Sequence, residues 1–208
     1  LHTAYRRQRQ MCIRDSTGAV YGTGKREENL RGYFAAISAM DEQIGRLLDA
    51  VEEQGLADNT VILFTADNGM SMGQHGVWGK GNGTFPMNMY DSAVKVPFLI
   101  SWPGHIPANT VCSEMISACD LLPTILKLTG LSDKQPTGLP GRSFTELLKG
   151  EQREHRDEVV IFDEYGPVRM IRTKEWKYVH RYPYGKHELY HLVDDPGEEK
   201  NLYGLPAV

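Results

Sequence analysis

No apolar run in the 208-residue sequence approaches the roughly eighteen residues that a membrane-crossing helix requires. Nor is there an excess of positive charge. The formal net charge is -4, and a nucleic-acid partner calls for a basic surface. The three cysteines, Cys12, Cys112 and Cys119, show no C-x-x-C spacing and make no disulfide framework. Cys112 and Cys119 read as two half-buried thiols rather than a bridge. Internal repeats and low-complexity tracts are absent too, which sets aside solenoids and biased-composition segments. No secretory leader is recognisable, and the sequence opens on Leu1. What is present is ordinary for a globular chain: 40% hydrophobic and 24% charged residues, enough for one good core or a domain with a small appendage.

The first sixteen residues, LHTAYRRQRQMCIRDS, have no hydrophobic period and carry four arginines against one aspartate. A basic arm and a disordered terminus both fit this composition. The MCIRDS stretch also resembles translated sequencing adapter, so residues 1–16 are expected to be non-native or disordered and to lie outside the fold.

From Glu27 to Gln54, apolar residues recur at Leu30, Tyr33, Phe34, Ile37, Met40, Ile44, Leu47, Leu48 and Val51. Steps of three and four describe one helical face, and Gly55 follows where a left-handed cap is wanted. The segments TVILF (60–64) and VPFLISW (96–102) read as short strands buried on both faces. Between Asp120 and Gly130, a helix is expected with Pro123 in its first turn. This alternation of helix and strand argues for an α/β layer with a mostly parallel sheet, in which ligands sit beyond the carboxyl ends of the strands. Residues 132–150 read as a linker and a short helix. Beyond them, EVVIFDE, VRMIRT, WKYVHRY and HELYHL alternate with period two and predict a small antiparallel sheet.

The chemistry-bearing residues crowd onto the loop after the first strand: Asp67, Asn68, His75 and Lys80. Asn68-Gly69 alone fits a type I′ hairpin turn. The following MSMGQHGVWGKGNG, however, has neither alternation nor a run of β-branched residues, which weighs against a hairpin. An Asp carboxylate and an Asn amide oxygen are hard donors suited to Ca²⁺ or Mg²⁺, although two ligands cannot complete such a site. Lys80 lies between Gly79 and Gly81, where backbone can approach a ligand closely, and its ammonium could hold a sulfate or phosphate oxygen. For a lone lysine, a solvated surface position is the commoner role. His75 could donate to an anion or protonate a leaving group, or could be a loop histidine without a task.

Taken together, FTADNG, then GQHGVWGKGNGTFPMNMYDSAVKVPFLISWPG, and finally WKYVHRYPYGKHELYHLVDDPGEEKNL resemble the sulfatase family over roughly residues 27–205. The resemblance implies the C-terminal part of an alkaline-phosphatase-like mixed sheet flanked by helices, within residues 17–131. It adds a small antiparallel C-terminal subdomain within 151–208. It implies that Asp67 and Asn68 ligate a divalent cation, usually Ca²⁺ with Mg²⁺ as the alternative. It further implies that Lys80 holds the sulfate and stabilises the leaving oxygen, and that His75 joins it as a catalytic and substrate-binding residue.

The family's nucleophile is a formylglycine made from Cys or Ser in a C/S-x-P-x-R motif, and this sequence has no such motif. Cys12, Cys112 and Cys119 are followed by the wrong residues. Ser101 in SWPGH comes nearest, but His105 stands where arginine is required. The expectation is therefore a portion of a sulfuric ester hydrolase, inactive alone, with formylglycine and the remaining acidic ligands supplied outside these residues. Two alternatives stand beside it: a phosphodiesterase or phosphonate hydrolase of the same superfamily, and a non-catalytic remnant. A small-molecule or carbohydrate sulfate ester is the implied partner, with no nucleic acid and no membrane. The family resemblance suggests a periplasmic or secreted setting.

Overall fold

The structure, a computed structural model, describes residues 26–81, 87–151, 155–163, 168–183 and 185–206. The expectation for residues 1–16 lies outside them. The chain separates into two compact units. One runs to Ile100 and takes in Arg181–Gly185; the other comprises Ser101–His180 and Lys186 onward.

In the first unit, helix α1 spans Arg26–Glu53 and opens on Glu27 and Glu28, which suit the positive end of its dipole. It closes as its sequence predicts. Gly55 has φ 67°, its amide donates to the Glu52 carbonyl at 2.9 Å, and the Leu56 amide reaches the Val51 carbonyl at 3.0 Å. That bond pair defines a Schellman cap. The apolar stripe of α1 is formed as expected but none of its residues is buried. Phe34 is 59% exposed and Leu47 is 67% exposed.

Strands β1 (Ile62–Thr65) and β4 (Phe98–Ser101) are neighbours in a two-stranded sheet. Burial on both faces, expected from their composition, is not what the structure shows. Leu99 is 61% exposed, and β4 alternates half-buried with exposed positions. With a single neighbour each among the described residues, these strands lack the layers that would cover both faces.

A second correction concerns the loop. Residues Ser71–Met72 (β2) and Trp78–Gly79 (β3) pair antiparallel, Ser71 opposite Gly79 and Met72 opposite Trp78. A hairpin does form, but its tip is Gly73–Val77 and Asn68-Gly69 lies before it. Two-residue strands carry no alternation, so the pattern could not announce them.

In the second unit, helix α3 (Leu121–Leu128) carries Pro123 in its first turn, and a second Schellman pair closes it at Gly130. Helix α2 (Asp91–Val94), in the first unit, and helix α4 (Thr145–Leu148), here, are single turns. The four alternating segments become β5 (Val159–Phe162), β6 (Val168–Arg172), β7 (Trp176–Arg181) and β8 (Glu188–His191), in that order in one sheet. Val159 pairs with Arg172, and Trp176 with His191, both antiparallel. One face buries Val168, Met170, Val179 and Tyr190, as the period of two requires.

Two buried ionic groups brace this unit. Lys177, fully buried in β7, bonds Glu198 at 2.5 Å. Asp120, also fully buried, accepts two bonds from the Arg156 guanidinium and the amides of Ser117 and Arg142. Burial pushes the Asp120 carboxyl up, but the Arg156 bonds and the two backbone amides outweigh it and hold the group below its ordinary value. The closing DDPGEEKNL stretch is structural in the same sense. Asp195 caps the Glu199 and Lys200 amides, and Asn201 bridges the Leu189 amide and the His187 carbonyl. No helix among the described residues is long and apolar enough to cross a membrane.

Candidate functional site

Asp67 and Asn68 lie one residue beyond the carboxyl end of β1, where the chain passes into a bend. Asp67 is exposed and Asn68 half-buried. The Asn68 amide nitrogen donates to the Gly69 carbonyl at 2.7 Å, which leaves the amide oxygen as the atom suited to a cation. The hairpin then carries His75 at its exposed tip. Lys80, half-buried, follows the last residue of β3.

One short segment, Asn88–Ala93, holds this loop at four points. The Gly69 amide donates to the Ala93 carbonyl at 2.9 Å, and Ser71 Oγ meets Ser92 Oγ at 2.8 Å. The His75 ring stacks on the Tyr90 ring with centroids 3.7 Å apart and planes 6° from parallel. At the far end, the Asn88 amide donates to the Gly81 carbonyl at 2.9 Å, seconded by the Asn88 side chain at 3.2 Å. Asn88, Met89 and Ala93 are the buried residues of this clasp.

Five residue steps separate Asn88 from Ala93, no more than about 18 Å even fully extended, and α2 shortens that span. The residues flanking Lys80 and those flanking Asn68 are thereby tethered to one small platform. Gly69 is required for this approach: a Cβ there would run into the Ser92 carbonyl. Sequence patterns pointed to Asp67, Asn68, His75 and Lys80 but missed the clasp. Asn88, Tyr90 and Ser92 act through backbone bonds, a ring stack and a hydroxyl pair, none of which leaves a periodic trace.

Chemically, the arrangement presents two oxygen donors at one end and an ammonium and an imidazole further along. The donors fit a hard dication in kind and not in number, since Ca²⁺ takes six to eight oxygens. Among the described residues, no three of His, Cys, Asp and Glu converge as a metal-holding group.

Comparison with known proteins gives the family. Residues 2–131 match the sulfatase family model, and residues 73–208 match the model described as N-sulphoglucosamine sulphohydrolase, C-terminal. The chain belongs to the sulfatase family. An N-acetylglucosamine-6-O-sulfatase of Bacteroides thetaiotaomicron is 30% identical over 205 residues, covering 91% of this chain and 35% of the relative. A solved structure of a protein in complex with its substrate D-glucosamine-2-N,6-O-disulfate superposes with a TM-score of 0.76 at 29% identity. That match covers 86% of this chain and 37% of the other. A phosphonate monoester hydrolase from Silicibacter pomeroyi matches at TM-score 0.67 and 28% identity, over 80% of this chain and 35% of its own. The chain thus spans about a third of the length of the relatives it matches. Its mixed α/β unit and antiparallel sheet agree with the C-terminal part of the alkaline-phosphatase-like sulfatase fold.

Proposed function

We propose that this chain forms part of a metal-dependent sulfuric ester hydrolase acting on sulfated carbohydrate. In this proposal Asp67 and Asn68 supply two ligands to a Ca²⁺ site, and Lys80 and His75 act on the sulfate. The clasp is the observation that carries it. A segment of six residues, together with the β2–β3 hairpin, tethers the residues flanking the proposed ligand pair and the lysine to one platform.

When bound, the dication would withdraw charge from a sulfate oxygen, as Ca²⁺ and Mg²⁺ do at transferring groups. The chain's own contribution is positional. A strand end fixes the two oxygen donors better than a free loop could. The Lys80 ammonium, on a glycine-flanked stretch, offsets charge developing on the leaving oxygen. His75 donates a proton toward that oxygen. The N-acetylglucosamine-6-O-sulfatase relative and the structure with bound D-glucosamine-2-N,6-O-disulfate support the substrate class.

The nucleophile belongs to residues outside these 208, because no C/S-x-P-x-R stretch occurs among them. The chain alone therefore gives no turnover of a chromogenic aryl sulfate. Metal-dependent hydrolysis by the purified chain would overturn that statement. The phosphonate hydrolase neighbour supports a second reading, transfer at phosphorus. Sulfate and phosphonate esters offered in competition to the whole enzyme separate the two: a clear kcat/KM preference for phosphonate would reject the first. Calorimetric titration tests the metal assignment. Asp67→Ala should weaken Ca²⁺ binding, and unaltered affinity would remove Asp67 from the site.

A further inference from the structure

His75 is costly where it stands. Its backbone is left-handed, with φ 53° and ψ 21°, and it is flanked within the hairpin tip by Gly73 at φ 98° and Gly76 at φ 73°. Glycine would adopt that conformation at less expense, histidine being among the side chains that enter it more readily than most. The side chain is exposed, so burial of apolar surface does not account for a ring there. What the ring does have is Tyr90. The two planes lie 6° from parallel with centroids 3.7 Å apart, and Tyr90 sits in the middle of the clasp that holds both ends of the loop. A left-handed backbone beneath an exposed side chain, and a neighbour that fixes that side chain's plane, together point to use of the imidazole.

We infer that Tyr90 is a positioning residue. It holds the His75 imidazole in a single orientation on the same loop as Lys80, so that the imidazole takes part in binding the sulfate group. This rests on the sulfate-ester reading proposed above. The contact needs only the aromatic face, so phenylalanine should serve in place of tyrosine and leucine should not. Removal of the ring frees the side chain of His75 while leaving Lys80 in place. Anion binding should then weaken and not vanish.

The test follows the histidine ring resonances of the 208-residue chain by NMR, with the His75 signals assigned by their loss in His75→Gln and inorganic sulfate as the probe. In the parent, the His75 ring protons should lie upfield, within the ring current of Tyr90, and should move on sulfate addition. Tyr90→Phe should keep both properties. Tyr90→Leu should lose the upfield displacement and bind sulfate several-fold more weakly, with the His180 and His187 signals of the other unit unmoved as a check on folding. A Tyr90→Leu variant that retains the displacement or the parent's sulfate affinity would overturn the inference, as would failure of Tyr90→Phe to restore them. Sulfate that binds through Lys80, lost in Lys80→Ala, yet leaves the His75 signals still, overturns the role of Tyr90 and spares the functional reading. Sulfate bound equally well by Lys80→Ala overturns that reading, and this inference with it.

Discussion

In the unit that carries the glycine-rich loop, Asp67 and His75 face solvent and Lys80 is half-buried, whereas in the other unit Lys177, Glu198 and Asp120 are sealed from it. The sealed charges are bonded to one another: Lys177 to Glu198, and Asp120 to Arg156 and two backbone amides. The loop charges are placed instead by what their neighbours do, through Gly69, Ser71 and Gly81 on the Asn88–Ala93 clasp. A charge committed to a buried partner is unavailable to a ligand, and one held at the surface by backbone bonds remains available. In the proposed reading, function and bracing are thus divided between the units by the manner in which charge is held.

The sharpest break in that contrast comes from Lys177→Ala. It takes the ammonium away from the buried Glu198 carboxylate, and loss of one partner of such a pair costs about 3–5 kcal/mol. Chemical denaturation should show that loss, while the double change Lys177→Met with Glu198→Gln should recover most of it. A stability change for the single variant no larger than that of a surface substitution would show the pair to be incidental.

Gly69→Ala attacks the other unit by overpacking the clasp against the Ser92 carbonyl. Such crowding costs typically about 1–3 kcal/mol. Because the strain falls next to Asn68, Ca²⁺ affinity should drop along with stability. Calorimetry that finds the metal bound as tightly as in the parent would uncouple the clasp from the site.

A smaller effect is expected on acidification. Asp120 is held below its ordinary carboxyl range in the folded chain, so it contributes stability above the unfolded value of about 3.9. That contribution is lost as pH falls through the lower folded value. Stability of this unit should therefore decline only in the acid limb, below about pH 4. In Asp120→Asn the decline should flatten, from a lower starting point. An unchanged acid limb in that variant would assign the effect to other carboxylates.

The smallest effect belongs to α1. Leu47 is 67% exposed, so Leu47→Lys should change the stability of this chain by less than about 0.5 kcal/mol. A loss of several times that amount in thermal melting would reveal a partner for the stripe.

How much of this could be read from the sequence divides along the same line. The helix of Arg26–Glu53, both glycine caps and all four strands of the antiparallel sheet were legible, because each rests on local periodicity or on a left-handed glycine. The loop's chemistry was legible as residue types in order: acid, amide, histidine, lysine. The β2–β3 hairpin was not, since two-residue strands have no period to detect. Lys177 in WKYVHRY looks like one more polar residue of an alternating strand, and its partner lies 21 positions away. Asp120 finds Arg156 across 36 residues, a separation at which pattern carries no information. The two-face burial expected of ILFT and FLIS failed for a different reason, because composition describes what a strand can bury and not which neighbours it has.

If the loop acts on a sulfate group, Lys80→Ala in the whole enzyme should register it in kcat. Measured on a sulfate ester at saturating Ca²⁺, kcat should fall on the order of 10²-fold or more, because removal of one charge-stabilising donor has that typical cost. Calcium affinity should stay at the parent's value, since Lys80 is not among the proposed ligands. A variant that keeps the parent's kcat would contradict the account and show that Lys80 is a solvated lysine on a well-braced loop.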